Sequence, residues 1–414
     1  MAGPAMTVTP YWQLTFDADG DVNPAERDRL LTEAGPRGVR DLILFSHGWN
    51  NDRTRATALY RAFFAPFPHL APKAKLGYVG VVWPSMRFCD EPVPDFPHLT
   101  VRQGVGLDDG TRRALLETFP GQAHAVERIA ALLEQRPPGD AALAEFGELV
   151  GQLVDAVPER CAADLPEEET PALLTEPVDQ VCEEFAQALH ELGGVREFSL
   201  PNPWDGAKEV LRQAAYYAMK RRAGTVGERG LGPLLGKLAA SAPGVRVHLV
   251  GHSFGGRLVS FALSGLAPGV RAVKSVTLLQ GAFSHYAFAA EGALAGRHGR
   301  VDGPVVCCHS SHDLALGTMY PLASRMAGDA RGAVGEVLGA KWGAMGFDGV
   351  KSVAGTRELS LAEALRGPLP VSGCVNVDAA AVVRRGGPPA GAHSDIVHPE
   401  LARVVLGAGR IPQG

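Results

Sequence analysis

The sequence predicts an α/β fold, a mostly parallel central sheet with helices on both faces. Three observations lead there. Short apolar runs recur along the chain without the polar alternation of half-exposed strands, as expected of strands buried on both faces. Helical stretches stand between them. One run, Val247-His-Leu-Val250, stops at a glycine-flanked serine and is followed directly by a helical pattern over 257–263, a strand–turn–helix unit. With 414 residues, 46% hydrophobic and 21% charged, the chain suits one large domain with insertions, or two domains.

In chain order, the runs 11–16, 41–45 and 77–83 read as strands, with a helix over 53–64 after the second. The stretch from 88 to 202 differs: it is rich in Glu, Asp and Pro and reads as amphipathic helices. Over 140–157, Leu143, Phe146, Leu149, Val150, Leu153 and Val157 keep helical spacing. Over 177–192, Val178, Val181, Phe185, Leu189 and Leu192 form one stripe, stopped by Gly193-Gly194. This block, 89–204, lies between two strands, so it reads as an acidic helical cap inserted over the C-terminal edge of the sheet; the core is 1–88 and 205–414. A separate binding module is the alternative.

The helix 207–222 follows and ends in Lys220-Arg221-Arg222, basic residues that suit the negative end of a helix dipole. A helix over 231–240 leads to the strand 245–250. Further strands read at 273–279, 305–308 and 374–377, and Pro399 opens a last helix over 399–406.

Composition excludes several classes. Net charge is −5 with no basic block, so nucleic acid is not an expected partner. Six cysteines (Cys89, Cys161, Cys182, Cys307, Cys308 and Cys374) lack a repeated spacing and read as free thiols. No secretion signal or bilayer-length apolar run is present, so the expectation is a cytoplasmic protein without integral membrane association. Cys307-Cys308-His309 with His312 invites a metal reading, but neighbours on a strand face opposite sides, so none is expected. Gly232–Lys237 lacks the first glycine and the Ser/Thr of a phosphate loop. No cofactor is expected.

The chemistry lies at strand ends. Gly251-His-Ser-Phe-Gly255 is a G-x-S-x-G sequence. A serine on so sharp a turn projects its hydroxyl above the sheet, and the small residues around it let strand and helix pass closely. Ser253 is the candidate nucleophile. In Phe45-Ser-His-Gly-Trp-Asn-Asn51 the His-Gly pair aims the Trp49 backbone N–H at the site, beside that of Phe254, as an oxyanion hole; the His47 side chain reads as shaping the loop. Pro304-Val-Val-Cys-Cys-His-Ser-Ser-His-Asp313 ends in an acid after a strand, so Asp313 is chosen to orient the base, against a helix N-cap role. For the base, His393 follows the small pair Gly391-Ala392 and His398 immediately precedes Pro399; His393 is preferred and His398 is the second candidate.

In these four segments, Ser46-His-Gly-Trp-Asn50, Gly251-His-Ser-Phe-Gly255, Ser311-His-Asp313 and Ala392-His-Ser-Asp395, the chain resembles the α/β-hydrolase superfamily, in particular its lipase- and esterase-like branches. The resemblance spans about 11–88 and 207–406. It implies acyl transfer on a small-molecule substrate by a Ser-Asp-His triad, with an ester or thioester as the leading substrate class. An amidase or peptidase on the same triad stays open. So does a non-catalytic scaffold that binds a protein partner through 89–204.

Overall fold

A parallel strand buried on both faces needs apolar side chains along most of its length. The segments DLILFS and LGYVGVV meet that demand and form β2 (Asp41–Ser46) and β3 (Leu76–Val82), buried throughout. They stand third and second from one edge of one eight-stranded sheet, seen in a computed structural model that describes residues 6–88, 106–156, 177–191, 202–319, 343–387 and 390–414. The other strands are β1 (Tyr11–Thr15), β4 (Arg246–His252), β5 (Val273–Leu279), β6 (Pro304–His309), β7 (Arg357–Ser360) and β8 (Gly373–Asp378). Their order is β1-β3-β2-β4-β5-β6-β8-β7, and every pairing is parallel. The α/β reading with a parallel sheet therefore holds.

The one strand without a predicted counterpart is β7, RELS, at the sheet edge. Its residues are mostly exposed, so it carries no apolar run to betray it. All strands being parallel, their C-terminal ends share one edge of the sheet. The loops after β2, β4, β6 and β8 leave there, at the usual position of ligand sites in open α/β sheets.

Helices cover both faces. Among the described residues ten lie before β5: α1 (Pro24–Glu33), α2 (Arg53–Phe64), α3 (Phe67–Leu70), α4 (Asp109–Thr118), α5 (Ala123–Gln135), α6 (Asp140–Asp155), α7 (Val178–Glu191), α8 (Pro203–Thr225), α9 (Gly232–Ser241) and α10 (Phe254–Gly265). One face buries Phe45, Phe63, Phe64 and Phe67 with the C-terminal helix Pro399–Ala408. The other buries α8 and α10, and its core runs on without a break into Leu115, Ile129, Phe146 and Phe185 of α4 to α7. The described helices of the insertion thus share a core with the sheet.

Hydrogen bonds tie α8 to the loop after β3, at the C-terminal edge, and to the end of α4 in this block. Arg222 donates to the Pro84 carbonyl at 2.8 Å and the Thr118 carbonyl at 3.3 Å, and the Met86 N–H meets Met219 Sδ at 3.1 Å. So the basic triplet does more than face a helix dipole. The helix runs past it to Thr225 and through a π-turn (Val226–Leu231) into α9. At the π-turn the chain crosses α10 backbone to backbone: a Cβ on Gly227 would stand 2.2 Å from the Leu258 carbonyl oxygen.

Candidate active site

The turn from β4 into α10 forces Ser253 to φ 54°, ψ −122°, a conformation that costs a non-glycine residue about 1–3 kcal/mol. Neighbouring backbone holds it there. Its N–H donates to the Leu279 carbonyl at 3.1 Å, and its carbonyl accepts from Gly256 at 3.0 Å and Ala282 at 3.3 Å. Both flanking glycines are sterically required. A Cβ on Gly251 would lie 2.3 Å from the Gly255 oxygen, and one on Gly255 only 2.1 Å from the Ser46 oxygen.

The loops after β6 and β8 bring Asp313 and His393 to this serine. His393 Nε2 stands 2.9 Å from Ser253 Oγ, and His393 Nδ1 stands 2.8 Å from Asp313 Oδ2. An ionised carboxylate only accepts, so Nδ1 carries the proton and Nε2 presents its lone pair to the hydroxyl. Asp313 also fills the capping role considered for it, since its Oδ1 accepts from the Leu316 N–H at 3.1 Å. The two loops dock on each other: Ala392 N–H donates to the His312 carbonyl at 2.9 Å, and Ala315 N–H to the Ala390 carbonyl at 3.2 Å. Gly391, at φ +60°, permits that approach, for a Cβ there would meet the His312 oxygen at 2.5 Å. Asp313 is fully buried and Ser253 is 5% exposed, while the His393 side chain keeps 17% of its surface open. The chain of three is recessed and reached past the imidazole.

The donors stand alongside. Phe254 is the first residue of α10, where a backbone N–H has no intrahelical acceptor. Gly48 packs directly on Ser253: a Cβ on it would be 2.6 Å from Ser253 Cβ. The Gly48 carbonyl takes His47 Nδ1 at 2.8 Å and Asn51 Nδ2 at 3.3 Å. In a planar trans peptide the N–H points opposite to the C=O. Fixing the Gly48 oxygen therefore fixes the direction of the Trp49 N–H.

His47 is itself wedged in place. Its ring stacks on Trp83 at 5.5 Å and 12°, its carbonyl accepts from Trp83 Nε1 at 2.9 Å, and its N–H donates to the Tyr60 hydroxyl at 3.0 Å. The Tyr60 hydroxyl in turn donates to the Val81 carbonyl. Burial pushes the His47 pKa down to about 4, so the ring is neutral near pH 7 and keeps a lone pair on Nε2. Trp83 and Tyr60 carry no sequence signal for this role. Trp83 meets His47 because β3 lies beside β2, and Tyr60 because α2 packs back on the sheet.

His398 is not brought to the serine. Its Nε2 pairs with Asp395 at 2.9 Å, and it stands at the N-cap of the last helix. Asp395 also takes the Arg384 and Arg385 backbone N–H groups and the Arg385 guanidinium. Among the described residues no group of three metal-ligating side chains converges. Cys182, Cys307, Cys308 and Cys374 are free and buried, and burial raises each of these thiols; Cys89 and Cys161 lie outside the described residues. Comparison with protein-family models, with curated proteins and with solved structures finds no match for this chain.

Proposed function

We propose that this chain is a serine hydrolase on an α/β-hydrolase fold, cleaving a carboxylic ester or thioester of a small-molecule substrate. The observation that carries the reading is the hydrogen-bonded chain from Asp313 through His393 to Ser253 at a strained strand–helix turn. His393 Nε2 takes the Ser253 proton as Oγ attacks the carbonyl carbon. The Phe254 and Trp49 amides receive the oxyanion, and removing one such donor typically costs on the order of 100- to 1000-fold in turnover. The imidazolium, held by Asp313, protonates the leaving alcohol or thiol. Water then attacks the acyl-enzyme through the same base and releases the acid.

The insertion, whose α5, α6 and α7 pack on α8 and whose Thr118 carbonyl accepts from Arg222, is read as the cap of this site. No helix among the described residues is long and apolar enough to cross a membrane. Free buried thiols favour a reducing compartment, and we place the protein in the cytoplasm.

A fluorophosphonate probe tests the reading, because it labels only an activated serine. The parent protein is expected to label and Ser253→Ala is not. Labelling that survives in Ser253→Ala removes Ser253 as nucleophile. A parent protein that stays unlabelled favours the non-catalytic scaffold, with partner capture then dependent on 89–204.

A further inference from the structure

His252 lies inside the nucleophile motif, yet nothing in the acyl-transfer scheme uses it. Its side chain is buried, 4% exposed, and turned toward the base rather than the substrate. His252 Nε2 is 2.8 Å from the backbone carbonyl oxygen of His393, and the two rings lie 5.1 Å apart. A carbonyl oxygen only accepts, so Nε2 must carry the proton and Nδ1 the lone pair. Nδ1 is buried without a hydrogen-bond partner and faces Gly48, where a Cβ would approach it to 3.1 Å.

We propose that His252 is a positioning residue that latches the base to the nucleophile: its Nε2–H grips the His393 carbonyl while the adjacent Ser253 hydroxyl meets the His393 ring. This rests on the hydrolase reading above. Two consecutive residues of one rigid turn then hold both ends of residue 393. The anchors Ala392 to His312 and Ala390 to Ala315 tie the base loop to the Asp313 loop, and the latch ties it to the turn that carries Ser253. Burial and the neighbouring His393 drive the His252 pKa down to about 3, so it stays neutral and adds no charge against the imidazolium forming beside it. The latch also accounts for a cost the fold otherwise carries for nothing, a polar ring in the core with one nitrogen unsatisfied.

The test compares His252→Gln with His252→Met. The two replacements have nearly the same length and volume, and only Gln can donate to the carbonyl. With a p-nitrophenyl acyl ester, Met is expected to lower kcat about 10- to 100-fold with KM little changed, the scale of a misplacement near 1 Å. Gln is expected to restore most of that loss. Equal kcat in the two variants overturns the latch. Should the Met variant fail to fold, imidazole nitrogen NMR of the parent decides: a proton on His252 Nε2 supports the proposal and a proton on Nδ1 overturns it. Fluorophosphonate labelling of the parent is read in parallel, so that failure of the hydrolase reading is told apart from failure of the latch.

Discussion

Ser275, His248 and Asp41 form a hydrogen-bonded chain of the same composition as Ser253, His393 and Asp313. His248 Nδ1 meets Ser275 Oγ at 2.9 Å, and His248 Nε2 meets Asp41 Oδ1 at 2.9 Å. The two ring nitrogens have exchanged roles relative to His393. The surroundings differ far more. Ser275 and His248 are register partners on β5 and β4, and Asp41 opens β2. All three are buried. Gly409 seals the ring from the C-terminal helix, where a Cβ would stand 2.6 Å from His248 Nδ1. Asp41 is shared with Arg246. Hydrogen-bond distances therefore do not separate the proposed catalytic chain from a structural one. What separates them is a serine on a strained turn, the first N–H of a helix beside it, and an imidazole with a solvent-facing edge. The chain on β2, β4 and β5 has none of these and serves to satisfy polar groups between strands.

The sharpest way to break this contrast is to cut one member of each chain. Asp313→Asn is expected to lower kcat by on the order of 10⁴-fold, because the amide no longer holds the tautomer the base needs. Stability should change little, since Asn can still cap the Leu316 N–H. Ser275→Ala should leave kcat within about twofold and cost about 1–3 kcal/mol of stability, through a buried histidine nitrogen left without its donor. Ester-hydrolysis kinetics and urea denaturation of both variants decide. Loss of turnover in Ser275→Ala would mean the second chain is coupled to the first.

Glycines pressed against each chain give a smaller, parallel test. Gly48→Ala places a methyl group 2.6 Å from Ser253 Cβ, so the donor loop must back away. Turnover is expected to fall roughly 100- to 1000-fold, as when an oxyanion donor is lost. Gly409→Ala crowds the His248 ring instead and should cost about 1–3 kcal/mol of stability with kcat unchanged. A Gly48→Ala protein with parental turnover would remove the Trp49 amide from the site.

How much of this was legible beforehand follows from contact range. β4, the glycines at 251 and 255 and the start of α10 are adjacent in the chain, and local pattern revealed them. Asp313 and His393 were found because a parallel sheet sends its strand-end loops to one edge, so position after a strand stands in for position in space. His393 and His398 separate through their neighbours: small residues before the first, Pro399 after the second. The β7 strand was missed for want of apolar residues. The second chain could not have been read at all, since residues 41, 248 and 275 meet only through the strand order β2-β4-β5. The His252 latch, and the Trp83 and Tyr60 supports of His47, were hidden for the same reason.

The finest distinction between the two regions is electrostatic. His252 and His248 are both neutral cores of polar networks, and burial lowers the pKa of each. At His248 the Asp41 carboxylate opposes that fall, while the Arg246 and Lys274 charges add to it. At His252 the neighbouring His393 adds to it, and the value drops to about 3. The unfolded chain protonates both near pH 6.5, so below that pH it binds more protons than the folded protein and stability falls as pH falls. Each histidine that stays neutral contributes a slope of up to about 1.4 kcal/mol per pH unit, beginning near its unfolded pKa and ending at its folded one. His252 holds its slope to about pH 3, and His248 contributes a slope of the same sign below its unfolded pKa. Urea midpoints measured from about pH 7 to about pH 4 should therefore flatten in both His252→Gln and His248→Gln. An unchanged pH dependence in either variant would show that its ring does not stay neutral in the folded protein, and the electrostatic part of the comparison would fall.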